Sequence, residues 1–276
     1  MVRGELAVSD NVAGGDEIRV SVDDRGVARI EIHRPHRMNA LDGAASRVII
    51  GALEEWSARD DIRVVVIDGA GGSFSTGADV IDIAATAGEN TGGGLDPTQA
   101  RGVISGGSDL ARAVRGVAVP VVAVVDGPAV GIGASLAFAA DLVYATERSY
   151  FLLAFINIGL MPDGGASMSV AAAVGRARAN AMALLGEKLP ATEAFDAGLI
   201  TKIVADREAL DATVDATVAK LVATSASALR LTKKALDAHT MGDFDAALDR
   251  ELEGQTALLQ SAEFQAAMAA FAGAKP

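Results

Sequence analysis

The chain has 276 residues, 30 of them glycine, no cysteine and a formal net charge of −12. Without cysteine there are no disulfides, no thiolate metal ligands and no thiol nucleophile. With only His33, His36 and His239 available, a three-histidine metal site is disfavoured and a Ser–His–Asp triad has few candidate bases. The acidic balance argues against nucleic acid as a partner. An anionic ligand remains compatible with a local basic patch or with outward-facing backbone N–H groups.

Residues 1–15 are polar and acidic, lack the apolar core of a signal peptide and are expected to be a flexible N-terminus. Residues 17–32 read as a hairpin: EIRVSV and VARIEI flank the turn Asp23–Asp24–Arg25–Gly26. In IHRPHRMNAL, at 32–41, His33 and His36 flank a proline and sit on an expected surface loop. Arg34 and Arg37 there are either solvated or attract phosphates. Leu41, Ala45, Val48, Ile49, Leu53 and Trp56 follow a helical period over 40–58. RVVVIDG, at 63–69, is a continuous apolar run, as in a strand buried on both faces.

GGSFSTGADV, at 71–80, is a glycine-rich loop that serves either as a plain turn or as the carrier of a backbone N–H donor. Residues 85–106 carry the weakest pattern and predict a mobile loop, followed by a short helix at 107–116. The apolar stretch Val117 to Ala145 contains Asp126, Pro128 and Asp141, so it reads as buried core rather than as a membrane span. With no signal peptide and no span, a cytoplasmic protein is expected. Within that stretch PVVAVVDG is a second buried strand, and GPAVGIGASLA turns from it into an apolar helix. Gly131 and Gly133 fit part of a dinucleotide fingerprint, but Leu136 stands at its third glycine. The other readings are a tight strand-to-helix turn and an anion hole at a helix N-terminus.

LVYA and SYFLLAF predict short strands, and MPDGG, at 161–165, predicts a turn before a helix over 166–185. Asp163 is there either a turn or cap residue or, if partly buried, a general base. Beyond about residue 205 the chain is alanine-rich and helical, with apolar stripes at Phe244, Leu248 and Leu252 and at Phe264, Met268 and Phe271. Such stripes need a partner surface. The expected fold class is α/β, with a core over 16–205 and a helical segment over 206–276.

Taken in order, RPHRMNAL, FSTGADV and PVVAVVDGPAVGIGASLAFAADLVYA resemble the signatures of the crotonase, or enoyl-CoA hydratase/isomerase, superfamily. The resemblance spans roughly residues 16–270. It implies a spiral of ββα units followed by helices that assemble a homotrimer or a dimer of trimers. It implies a coenzyme A thioester as substrate, no separate cofactor, no metal, no nucleic acid and no membrane. The backbone N–H groups of Ala78 and Ile132, the latter between Gly131 and Gly133, would form an oxyanion hole. Coenzyme A would lie near Ala40 and along Ala78, Asp79 and Val80, with Arg37 at the loop edge and Phe271 and Lys275 at the C-terminus.

Two departures from the family pattern carry information. Hydratases of the family place glutamates where this chain has Ser135 and Phe155. The acidic residue that remains is Asp163, in FLLAFINIGLMPDGGAS, a segment similar to the isomerase branch, including the phenylacetate-pathway ring-epoxide and enoyl isomerases. The resemblance therefore implies an isomerase with Asp163 as proton shuttle, and Leu153, Phe155 and the 85–106 loop lining an apolar pocket. Three other readings stand beside it: a hydratase with relocated carboxylates such as Glu89, a dehalogenase or hydrolase of the same fold, and a non-enzymatic acyl-CoA-binding subunit.

Overall fold

The computed structural model describes residues 16–79, 83 and 95–273. Strands β1 (Ile18–Val22) and β2 (Val27–Ile32) form the expected antiparallel hairpin, with Ile18 opposite Ile32. The Asp23 carboxylate closes the turn by accepting from the N–H groups of Arg25 (2.9 Å) and Val27 (3.0 Å). Parallel strands then extend the sheet: β3 (Val64–Gly69), β4 (Val121–Val125), β6 (Leu142–Thr146) and β9 (Lys202–Val204). The order is β1-β2-β3-β4-β6-β9. A smaller sheet joins β5 (Pro128–Val130), β7 (Tyr150–Leu152) and β8 (Leu189–Pro190).

The two faces of the large sheet explain the unbroken apolar runs. Successive side chains of a strand point to opposite faces. Val65 and Ile67 of β3 belong to the main core, with Leu53 and Trp56 of helix α1 (Gly43–Ser57) and Ile104 and Leu110 of α2 (Pro97–Gly116). Val64 and Val66 face the other way, against Leu210, Val214 and Val218 of α6 (Arg207–Ala223). A strand covered on both sides has no use for polar residues, so the alternation seen in one-sided sheets vanishes.

The remaining helices are α3 (Ile132–Ala139), α4 (Ala166–Leu184), α5 (Ala191–Asp196), α7 (Ala226–Thr240), α8 (Phe244–Leu258) and α9 (Ala262–Gly273). Every residue of α3 is buried, which is why its sequence is apolar all round rather than on one stripe.

Two expectations need correction. Residues 97–106 are not loop, because α2 begins at Pro97. Asp96 and Gln99 form a reciprocal capping box around its first turn, and this offsets the helix-weakening glycines 102, 106 and 107. Residues 84–94, including Glu89, lie outside the described residues. The second correction concerns the C-terminal stripes. Phe244, Leu248 and Phe264 are buried within this chain, with α8 packed on α2 and α4. Phe244 and Leu248 form a small separate cluster with Ala111 of α2, whereas Phe264 belongs to the main core and Leu252 packs against it. These four find their partner surface within the chain; the side chains of Met268 and Phe271 lie outside the described residues. Among the described residues no helix is long and apolar enough to cross a membrane.

Candidate active site

Two loops are stitched together before any site exists. Asn39 is buried, with φ at +58°. Its side-chain oxygen accepts from the Arg34 N–H at 2.8 Å, and its amide donates to the carbonyls of Ala70 (2.8 Å) and Ser73 (2.7 Å). Leaving such buried partners unsatisfied costs about 1–3 kcal/mol each. The Arg34 guanidinium is buried too. It donates to the Ala40 carbonyl and lies 2.9 Å from Asp42 and 3.6 Å from Asp79. Arg34 is therefore an internal brace, not a loop-edge contact. Arg37 is the more exposed of the two, lies 3.6 Å from Asp79 and, with His36, lines the mouth of the main cavity. The Asp79 carboxylate is buried between these two arginines.

The same stitching aims the Ala78 N–H. The Leu41 N–H donates to the Gly77 carbonyl at 2.7 Å, and the Asp79 N–H donates to the Leu41 carbonyl at 2.9 Å. Backbone groups alternate in direction along an extended segment. Ala78 thus turns its own N–H away from Leu41. Gly77 has φ +93°, and a Cβ there would lie 2.7 Å from the Val130 carbonyl oxygen and 3.4 Å from the Ile132 nitrogen. Only glycine allows the loop to approach this closely. On the facing side Gly131 precedes α3 and donates its N–H to the Leu152 carbonyl at 2.8 Å. Ile132 is the first residue of α3, so its N–H has no acceptor within the helix. Ala78 and Ile132 thus belong to two loops in close contact, and both line the same cavities.

Asp163 reaches this point from the turn before α4. It is 6% exposed. One carboxylate oxygen, Oδ2, accepts from Gln255 Nε2 at 3.1 Å, while Oδ1 has no hydrogen-bond partner among the described residues. Burial is the main force pushing its pKa up to about 7; the nearby Glu251 charge adds to this, and the Gln255 hydrogen bond opposes it. The Asp163 side chain does not cap α4. Glu251 of α8 does, accepting from the N–H groups of Gly165 (2.7 Å) and Ser167 (3.0 Å). Gly164 follows Asp163 with φ +64°; a Cβ there would fall 2.4 Å from Ile132 Cδ1, so the turn packs directly on the donor of α3.

Two cavities meet at Asp163. One, of about 710 Å³, is lined by Ala40, Ala78, Gly131, Ile132, Phe155 and Gln255 among others. The other, of about 490 Å³, lies between α1 and α2 and shares Ala78, Ile132 and Asp163 with the first.

The other expected site residues divide. Ser135 is buried and donates its hydroxyl to the Asp163 carbonyl at 2.7 Å; it braces the turn and lines neither cavity. Leu153 is likewise in the core rather than on the cavity wall. Val80 and Lys275 lie outside the described residues, as does the side chain of Phe271. Glu251 and Gln255 escaped the sequence reading. Their signal was there: 244, 248, 251 and 255 share one helical stripe, and two polar residues on a buried stripe mark a site.

The enoyl-CoA hydratase/isomerase family matches residues 23–276. A probable enoyl-CoA hydratase of Rhodobacter capsulatus is 37% identical over 252 residues, covering 91% of this chain and 93% of the relative. The 1,2-epoxyphenylacetyl-CoA isomerase of Escherichia coli is 31% identical over 253 residues, 90% of this chain and 92% of its own. The crystal structure of an enoyl-CoA hydratase from Mycobacterium avium subsp. paratuberculosis superimposes with a TM-score of 0.82 at 41% identity, covering 93% of this chain and 96% of that one. The chain therefore belongs to the enoyl-CoA hydratase/isomerase family, and its α/β fold is the crotonase fold.

Proposed function

We propose that the protein isomerises unsaturated acyl-CoA thioesters, shifting a double bond from the 3- to the 2-position. The carrying observation is Asp163: a buried carboxylate with one unpartnered oxygen, beside two backbone donors, at the junction of two cavities. In this reading Asp163 removes a proton from C2 of a 3-enoyl thioester. The electron pair of the C2–H bond flows into the carbonyl, and the Ala78 and Ile132 N–H groups hold the enolate oxygen. The proton then returns to C4, the C3–C4 double bond moves to C2–C3, and the carbonyl reforms. One carboxylate completes the cycle, and a pKa near 7 suits a group that is base in one step and acid in the next.

The hydratase reading is supported by the names of the Rhodobacter and Mycobacterium relatives. Against it stand the residues at the two expected glutamate positions. Phe155 offers no proton and Ser135 gives its hydroxyl to the backbone. Coenzyme A is proposed to lie near Arg37, Ala40, Ala78 and Asp79, which line the larger cavity. A homotrimer or dimer of trimers is proposed as the assembly.

The test assays 2-enoyl, 3-enoyl and aromatic acyl-CoAs for both isomerisation and hydration. Isomerisation of a 3-enoyl-CoA with negligible hydration of a short 2-enoyl-CoA is expected. Asp163→Asn should lower isomerisation by at least about a hundredfold while acyl-CoA binding survives. Hydration as fast as isomerisation, or a fully active D163N enzyme, would overturn the assignment.

A further inference from the structure

Resting on the isomerase reading, we infer that helix α8 divides the Asp163 carboxylate into an anchored oxygen and a proton-carrying oxygen, with Gln255 and Glu251 as positioning residues. Both lie on the buried face of α8, one helical turn apart, and both are buried. Gln255 bridges the Asp163 turn. Its Oε1 accepts from the Met161 N–H at 3.3 Å and its Nε2 donates to Asp163 Oδ2 at 3.1 Å. The Met161 N–H is a donor only, so it fixes which end of the amide is the oxygen. The amide hydrogen then has to face the carboxylate. Oδ2 is thereby occupied, and Oδ1 is left for the substrate proton. Oδ1 points toward α2, where a Cβ on Gly107 would come within 4.0 Å of it. That is the wall of the cavity between α1 and α2.

Glu251 holds the other side of the turn through the N–H groups of Gly165 and Ser167. Burial pushes the Glu251 pKa up, and those bonds oppose the rise. Its charge stands next to Asp163 and disfavours a second negative charge there, whereas the Gln255 donor favours one. The two residues therefore act on Asp163 in opposite senses.

Of the other charged groups, Arg47 of α1 lines the cavity between α1 and α2 with Asp163, and His36 and Arg37 line the larger one. Arg250 acts on Glu251 from the same helix. On α2, Arg112 pairs with Asp109 and, on the outer side of α8, with Asp245 and Asp249. On α3 and α4 the polar groups touching the turn are Ser135 and Ser167. Glu263 of α9 packs beside Gly159. Across the cavity Asp79 is held by Arg34 and Arg37.

The experiment compares wild type, Gln255→Met and Glu251→Gln in isomerisation of a 3-enoyl-CoA over pH 5 to 9, with D163N as reference. Gln255→Met keeps the shape and removes the donor. Its kcat should fall about ten- to a hundredfold with KM little changed, as for a misplaced reacting group, and the acidic limb of its kcat profile should move to higher pH. Glu251→Gln should move that limb to lower pH. A purely structural role would move both limbs together or neither, and either result overturns the inference. If Q255M does not fold by circular dichroism, E251Q carries the test alone: a downward shift supports the inference and an unmoved limb overturns it. An inactive D163N with unshifted limbs in the other variants refutes the positioning roles only, whereas an active D163N refutes the isomerase reading itself.

Discussion

At the scale of the residue, Asp163 shows how a fold holds a carboxyl group partly protonated near neutral pH. Its largest perturbation is the loss of water, and that has a consequence for stability as well as for chemistry. The folded state holds the Asp163 proton up to about pH 7, whereas the unfolded chain releases it near the ordinary value of 3.8. The folded state therefore binds more protons between these values, and stability falls as pH rises through that window. Asn cannot ionise, so D163N escapes this penalty. At pH 8 the variant should be more stable than wild type, by at most roughly 4 kcal/mol if each pH unit of the window is worth about 1.36 kcal/mol. At pH 4 the difference should vanish. Urea unfolding at both values measures this; a difference independent of pH would show that Asp163 is not buried in the ionisable form described.

Elements decide where the donors point. Ile132 would contribute its N–H because α3 begins at that residue, while its side-chain tip packs against Gly107 and Gly164. A substitution can remove the N–H, with Ile132→Ala as the control for the lost side chain. Proline at the first position of a helix removes an N–H that had no intrahelical partner and keeps the helical φ. Ile132→Pro should therefore preserve the fold yet lower isomerisation by about 10²–10³-fold, the usual loss for one oxyanion donor. Full activity in a folded I132P enzyme would remove Ile132 from the proposed site. The family resemblance pointed to Ala78 and Ile132, and the structure places both residues on the walls of the same two cavities. The resemblance pointed to neither Glu251 nor Gln255. They lie 86 and 92 residues beyond the partners they meet in the Asp163 turn, and nothing local in α8 says which turn it will cover.

At the scale of the molecule, the apolar stripes of the C-terminal region are mostly absorbed by the chain's own core, so they no longer motivate assembly. Other apolar side chains remain uncovered: Leu231 and Leu236 on α7, Leu184 and Leu185 at the end of α4, and Phe195 on α5. Where exposed apolar side chains form a contiguous patch, that patch usually marks an interaction surface. The proposed trimer should therefore use these helices rather than the α8 stripe. Light scattering at micromolar concentration should give an oligomer for the wild type and a smaller species for the double variant L231E/L236E. A stable wild-type monomer would remove the trimer from the proposal.

What the sequence determined by itself is local or periodic. Hairpin turn chemistry, continuous apolar runs, glycine-marked loops and helical stripes are written in adjacent residues, so β1 to β4, α1, α3 and the two donor loops could be read from them. The absence of acid at 135 and 155 was equally legible, because it needs only identity and position. The tertiary structure alone decided the rest. It turned Arg34 inward, gave the Ser135 hydroxyl to the Asp163 carbonyl, and buried α8 so that Gln255 and Glu251 meet a turn far away in the chain. These outcomes depend on which surfaces exclude water from one another. Desolvation, which sets the Asp163 proton affinity and leaves Oδ1 without a partner, arises only when distant segments close over the same point.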